Sequence, residues 1–388
     1  MAQYAINQYK GLFKLAEELY NQENYKDAAT LFEQIVLNDE ENFKAHYLLG
    51  DCLYYGKGIT KDYKRAVQMF FNAANNKILE ASYMLGLCYA EGTGVNQDYT
   101  QAIAWFTEAA KFDHTLSQYY LGNAYKEGLG INKDIPRALQ WYLHAAKKGH
   151  VDSQREAGIC YELLSKEKGA ATLYLAGAES GDSFCQEKIA DCYADGIGTL
   201  QCSELALKYY ELAANQNNIS AQVKLANRFS TGNGLEENQK LAVFWWAKAA
   251  QTGNAEAQNN LGEAYYKGAG IQVDYELALS WFTKSANQNY SKAMLRVAEI
   301  LTNPPLDSIK VNLDNAKYWW MKAAELGESY AMYRVGAIYE KGIGHTQVLL
   351  PEAYKWYKLA AQKGDPEAQT ALKKFKKSIS GKIKYVKK

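Results

Sequence analysis

Proline is rare in this chain of 388 residues, with five in all, so little in it forbids long helical stretches. Histidine is equally rare. His46, His114, His144, His150 and His345 show no metal-ligand spacing and pair with no cysteine cluster, so neither a metal site nor another cofactor is expected. The six cysteines include a column, Cys52, Cys88, Cys160 and Cys192, whose members fall on different segments and form no local pair; reduced packing thiols are expected. No run approaches the roughly 18 apolar residues of a membrane span, so no transmembrane segment is expected. The opening MAQYAINQYKGLFKLAEELY lacks a basic segment followed by an apolar run. That speaks against a signal peptide and for a cytoplasmic location, with release into a host cell without a cleaved signal as the alternative. Net charge is only +1, which argues against nucleic acid as a partner. No nucleophile elbow, paired-carboxylate signature or Cys–His arrangement stands out, so the chain is not expected to be an enzyme.

What the chain has in abundance is periodicity. Gly50, Gly86, Gly122, Gly158, Ala190, Ala226, Gly262, Ala298 and Gly336 hold equivalent places, separated by 36, 36, 36, 32, 36, 36, 36 and 38 residues. A fixed period in this range predicts an architecture that grows by stacking. Apolar residues lie five and one before each of these markers and three after it, as in Ala81, Leu85 and Tyr89, giving one buried helical face. The small marker predicts close approach of a partner helix. A Gly-x-Gly turn follows, as at Gly92/Gly94 and Gly268/Gly270, its first glycine suited to a left-handed helix stop and its second to a reversal in few residues. No strand precedes it and no Gly-Lys-Ser/Thr follows, so it reads as a turn and not as a phosphate loop. Next comes an apolar plug (Ile59, Val95, Ile131, Leu235, Ile271), then Asp62, Asp98, Asp134 or Asp274 as N-cap of a second helix. That helix carries an aromatic pair such as Trp105-Phe106 or Trp245-Trp246, then Ala-Ala and often a glycine (Gly149, Gly253, Gly327, Gly364). Large beside small at a fixed address predicts interdigitating helices and accounts for much of the aromatic content without a ligand.

Residues 1–44 step from Ala16 to Gly50 in 34 residues, the tetratricopeptide period, and read as an N-terminal repeat or cap of that type. Nine units follow over 45–365. Two of their turns are irregular: near 163–169 both glycines are gone, and near 303–313 Pro304-Pro305 must stop a helix. Residues 366–376 are expected to form a closing helix and 377–388 a frayed basic tail. Residues 373–388 hold eight lysines and no acid. This run reads as solvated charge, with attraction to an acidic partner or anionic lipid as the alternative.

The recurring A-x-x-x-L-G-x-x-Y-x-x-G-x-G-[VI]-x-x-D-x-x-x-A-x-x-W-[FY]-x-x-A-A-x-x-G resembles the Sel-1-like repeat, a branch of the tetratricopeptide-type α-solenoids, over roughly residues 45–372. The resemblance implies an all-α, right-handed superhelical solenoid of stacked helix-turn-helix repeats, its first helices lining the concave side. It also implies a non-enzymatic protein–protein interaction scaffold or adaptor that binds a protein or peptide in that groove. The alternative it carries is an immunity-type or regulatory protein that inhibits a cognate enzyme or toxin.

Within each first helix, the residues three and two before the marker and one and five after it are expected to face away from the core. In the first three units these are Tyr47, Leu48, Asp51 and Tyr55; Tyr83, Met84, Leu87 and Glu91; and Tyr119, Tyr120, Asn123 and Glu127. Later units place Glu187, Lys188 and Asp191, then Val223, Lys224 and Asn227, then Asn259, Asn260 and Glu263, then Leu295, Arg296 and Glu299 there. A tyrosine-rich, partner-binding groove is therefore expected in the N-terminal half and a mixed-charge one after it; packing of the same tyrosines on neighbouring helices is the competing reading.

Overall fold

The computed structural model describes residues 2–234, 236–377 and 383–385. Among them are 21 helices and one two-stranded ribbon, divided between two compact units, Met1–Gln201 and Cys202–Lys388. The first unit holds α1 (Ala2–Asn21), α2 (Tyr25–Asn38), α3 (Phe43–Tyr55), α4 (Tyr63–Asn75), α5 (Leu79–Glu91), α6 (Tyr99–Lys111), α7 (Thr115–Glu127), α8 (Ile135–Ala146), α9 (Val151–Leu163), α10 (Glu167–Glu179) and α11 (Ser183–Asp195). Each odd helix packs on the even helix after it, and each even helix packs on the next odd one, so the unit is a two-layer stack.

The second unit repeats the plan with α12 (Ser203–Asn215), α13 (Ile219–Thr231), α14 (Gln239–Gln251), α15 (Ala255–Lys267), α16 (Tyr275–Ala286), α17 (Ser291–Thr302), α18 (Leu313–Glu325), α19 (Ser329–Lys341), α20 (Leu350–Gln362) and α21 (Pro366–Leu372). The closing helix therefore ends at Leu372, short of the expected 376. Phe375 instead packs its ring 5.9 Å from those of Tyr354 and Tyr357 and begins β1 (Phe375–Lys377), antiparallel to β2 (Ile383–Tyr385). An aromatic anchor on α20 replaces the last helical turn. The rest of the expected tail, and the plug residue Leu235, lie outside the described residues.

The local chemistry explains why the pattern repeats. Asp62, Asp98, Asp134 and Asp274 each accept a backbone N–H two or three residues on, at 2.8–3.1 Å, and so start the second helices. The marker glycine lies beneath a ring of the partner helix: a Cβ on Gly86 would sit 2.3 Å from Phe106, and one on Gly122 2.4 Å from Tyr142. Those second aromatics are the largest buried side chains, Tyr142, Tyr174, Tyr210, Tyr357 and Trp320 among them. In the turn, the second glycine does more than reverse the chain. Gly94 is left-handed (φ 76°), and a Cβ there would meet the backbone oxygen of Tyr63, the first residue of α4, at 2.4 Å. The turn of one repeat is thus pressed against the second helix of the repeat before it.

The irregular turns solve the same problem with other residues. Between α9 and α10 three residues suffice, with Ser165 taking the positive φ of 54°. Between α17 and α18 the longer loop buries Ile309.

A further column was hidden in the sequence. Gln118, Gln186, Gln222 and Gln258, four residues before their markers, are buried. Each donates from Nε2, at 3.0–3.5 Å, to the carbonyl eight residues back: the second alanine of the preceding Ala-Ala for Gln118, Gln222 and Gln258, and Ala178 of Gly177-Ala178 for Gln186. They give a second donor to last-turn carbonyls whose other partner is the backbone N–H three residues on.

Candidate interaction face

The odd helices of the first unit present the residues expected at a binding face, but not all of them reach solvent. On α3, Tyr55 is half-exposed and Tyr47 is partly buried, its ring 6.2 Å from Phe70. Leu48 and Asp51 are buried. On α5, Glu91 is exposed, Tyr83 and Leu87 are partly buried and Met84 is buried. On α7, Tyr119, Tyr120 and Asn123 are partly buried and Glu127 is exposed. The expectation of an outward face is thus corrected at Leu48, Asp51 and Met84. Leu48 and Met84 belong to the core of the first repeats. A stacked first helix has neighbours beside it as well as beneath it: the position two before the marker is covered on α3 and α5, and the position three before it is covered at Glu187, Val223 and Asn259, where an outward face was also expected.

Tyr120 shows the same geometry from the partly exposed side. Its ring stacks on Phe106 at 5.2 Å and lies 5.8 Å from Tyr83 of the preceding odd helix. Tyr83 in turn lies 5.1 Å from the ring of His114, and Tyr119 5.1 Å from that of His150. The result is a strip of half-buried aromatic side chains running from repeat to repeat. Burial raises the phenols of Tyr83 and Tyr120 and pushes that of Tyr47 up to about 12, so all three remain neutral donors at physiological pH.

His114 and His150 cap α7 and α9. Each uses Nδ1 as acceptor for the backbone N–H of the serine three residues on, at 3.2 Å, and for its hydroxyl at 2.9 and 2.8 Å. Burial lowers both imidazoles below their usual 6.5, which keeps the acceptor nitrogen unprotonated.

The odd helices of the second unit carry a polar counterpart. Asn227 on α13 accepts from Trp246 Nε1 at 2.9 Å and from Asn260 Nδ2 at 3.1 Å, and donates to Glu256 at 3.0 Å. Arg296 on α17 grips Glu263 on α15 through Nε and a terminal nitrogen, while Lys267 pairs with the same carboxylate at 2.9 Å. Two adjoining hollows of about 600 and 550 Å³ share Asn260, Glu263 and Lys267 in their walls. Trp246 and Lys267 were not legible as part of this face. A signal existed, since Tyr142 donates to Asn123 at 2.6 Å in the register by which Trp246 reaches Asn227.

No group of three or more His, Cys, Asp or Glu side chains among the described residues could hold a metal ion, and no described helix is long and apolar enough to cross a membrane. All six cysteines are free; five are buried and Cys202 is partly exposed.

The family model of the Sel1 repeat matches residues 79–111, 115–150, 183–218, 219–254, 255–290, 291–328 and 329–365. A tetratricopeptide repeat model matches residues 13–75. The unit left unmatched, between 150 and 183, is the one with the shortened turn. A comparison with curated protein sequences returned no match. Among solved structures, a protective antigen present in uropathogenic Escherichia coli strains, displaying an SLR fold, is 29% identical with a TM-score of 0.77, covering 88% of this chain and 73% of that one. A Sel1 repeat protein from Oxalobacter formigenes is 26% identical with a TM-score of 0.64, covering 82% and 93% respectively. With seven matched repeats spanning most of its length, behind a tetratricopeptide repeat at its start, the chain belongs to the Sel1-repeat family.

Proposed function

We propose that this protein is a non-enzymatic scaffold that holds a partner protein or an extended peptide along the odd-helix face of its first unit, between Tyr47 and Glu127. Sel1 and tetratricopeptide repeat folds generally serve as protein–protein interaction scaffolds and are generally not catalytic. The observation that carries the reading is the aromatic strip. Tyr47, Tyr55, Tyr83, Tyr119 and Tyr120 are held in place by ring contacts yet keep part of their surface free. Such side chains combine large contact area with little conformational entropy left to lose, and they anchor interfaces for that reason. Glu91 and Glu127, exposed at the ends of α5 and α7, place carboxylates beside the strip. The free, largely buried thiols fit a reducing compartment, and we place the protein in the cytoplasm.

The test is the affinity of a captured partner for wild type and for Tyr83→Ala/Tyr120→Ala, with circular dichroism as the control for folding. Loss of about 2 kcal/mol or more by the folded double variant is expected of interface anchors. Unchanged affinity, with loss on mutation elsewhere, would refute the placement.

A further inference from the structure

We propose that Tyr20, Tyr25, Tyr55 and Asp51 form a binding site for an ammonium side chain of the lysine type, and that Lys57 closes this site in cis. Three separate elements build it. Tyr20 stands in the last turn of α1, Tyr25 is the first residue of α2, and Asp51 and Tyr55 lie one turn apart at the end of α3. Lys57 reaches in from the turn that follows. Its ammonium lies 5.1 Å from the ring centre of Tyr20, 5.5 Å from that of Tyr25 and 5.1 Å from that of Tyr55. It donates to Asp51 at 2.8 Å and to the Tyr20 hydroxyl at 2.7 Å. Three aromatic faces around one carboxylate make a cage whose quadrupoles and charge select a cation.

The resident side chain identifies the ligand class, because the site already coordinates an ammonium. The fold does not require that cation. Lys57 is the middle residue of a Gly-x-Gly turn, and the same place is held by Thr93, Leu129, Ile197, Asn233, Ala269 and Ile343 in other repeats. Gly56 and Gly58 make the turn, each left-handed (φ 75° and 70°), whatever stands between them. Asp51 keeps a donor when Lys57 leaves, since the Tyr20 hydroxyl bonds it at 2.5 Å. The Lys57 side chain is 31% exposed and Tyr55 49% exposed, so the cage has a mouth. Exchange of one ammonium for another conserves every contact inside. A partner's lysine therefore enters when its other contacts outweigh the local concentration of Lys57. That the incoming lysine belongs to a bound protein rests on the scaffold reading, because Asp51 and Tyr55 stand on the same helix as Tyr47; the cage itself does not.

The experiment uses the full chain and two probes, Nα-acetyl-lysine N-methylamide and its uncharged norleucine analogue. Binding is followed by tyrosine-ring NMR in wild type, Lys57→Ala and Lys57→Ala/Asp51→Asn. Lys57→Ala should bind the lysine amide at least tenfold more tightly than wild type does and at least tenfold more tightly than it binds the norleucine amide. Adding Asp51→Asn should remove at least tenfold of that affinity. If Lys57→Ala does not fold alone, refolding in the presence of each amide is the readout, and recovery with the lysine amide alone supports the cage. Equal effects of the two amides, or no effect of either, would overturn it. Neither result depends on a captured partner, so failure of the cage and failure of the scaffold reading are told apart by the Tyr83/Tyr120 measurement.

Discussion

Replacing Gly94 and Gly149 by alanine, one at a time, separates two costs that the sequence pattern merges. Both glycines are left-handed, with φ of 76° and 82°. Alanine in that region costs about 1–2 kcal/mol. The stiffer unfolded chain returns about 0.4–1 kcal/mol. A Cβ on Gly149 would have nothing within 4 Å, so Gly149→Ala should cost roughly 1 kcal/mol in all. The repeats themselves support this, because Lys77, Asp113, Asn217 and Asn289 take the equivalent place at φ of 63–68°. A Cβ on Gly94 would stand 2.4 Å from the Tyr63 oxygen and 2.6 Å from its carbon, where ordinary contact begins at 3.4 Å. Turn and helix must separate, at an overpacking cost of about 1–3 kcal/mol more. Gly94→Ala should therefore lose about 2–4 kcal/mol. Urea unfolding followed by circular dichroism gives the totals, and hydrogen exchange across α4–α6 shows where the loss falls. Equal losses for the two variants would refute the claim that the second turn glycine is an inter-repeat contact.

Through these two caps stability should be level between about pH 7 and 8 and fall as the pH drops through 6.5 toward 5. The folded imidazoles of His114 and His150 are held below 6.5 while unfolded ones titrate near it, so the unfolded chain binds more protons in that window. Among their neighbours, Glu80 and Asp152 oppose the shift and Lys148 reinforces it at His114. His114→Asn/His150→Asn keeps an acceptor on each cap and should flatten the melting temperature between pH 5 and 7; an unchanged slope would contradict the assignment. Burial pushes the thiols of Cys52 and Cys88 up to about 12 and those of Cys160 and Cys192 up to about 11. Iodoacetamide at pH 7.5 (~1 mM) should therefore label Cys202 alone in the native protein and all six cysteines in urea, read by mass spectrometry.

The repeat, the turn and the aspartate caps were legible because each rests on a residue type with one physical use at that place. The glutamine column was not, because a polar residue at a buried helical position looks like an interruption until the carbonyl it serves is known. Leu48 and Met84 were misplaced for a related reason. Helical periodicity reports one buried face, whereas a helix inside a stack also has flanks, and which flank is covered depends on a neighbour 36 residues away. The Lys57 cage lies further out of reach, since its members are spread over α1, α2, α3 and a turn whose lysine reads as ordinary surface charge. At the C-terminal end Ile383 and Tyr385 alternate with lysines, but so short an alternation in a lysine-rich run reads as solvated charge, and only the contact of Phe375 with Tyr354 and Tyr357 explains why the helix stops.

Site-specific photo-crosslinking tests the central claim most directly. Benzoylphenylalanine placed at Tyr120, on the odd-helix face, is compared with the same group at Phe71, which is 45% exposed on the even helix α4. With both proteins folded and irradiated in the cells that make them, a discrete crosslinked species is predicted from position 120 and none from position 71. A crosslink from 71 with none from 120 would contradict the account and move the partner to the opposite layer.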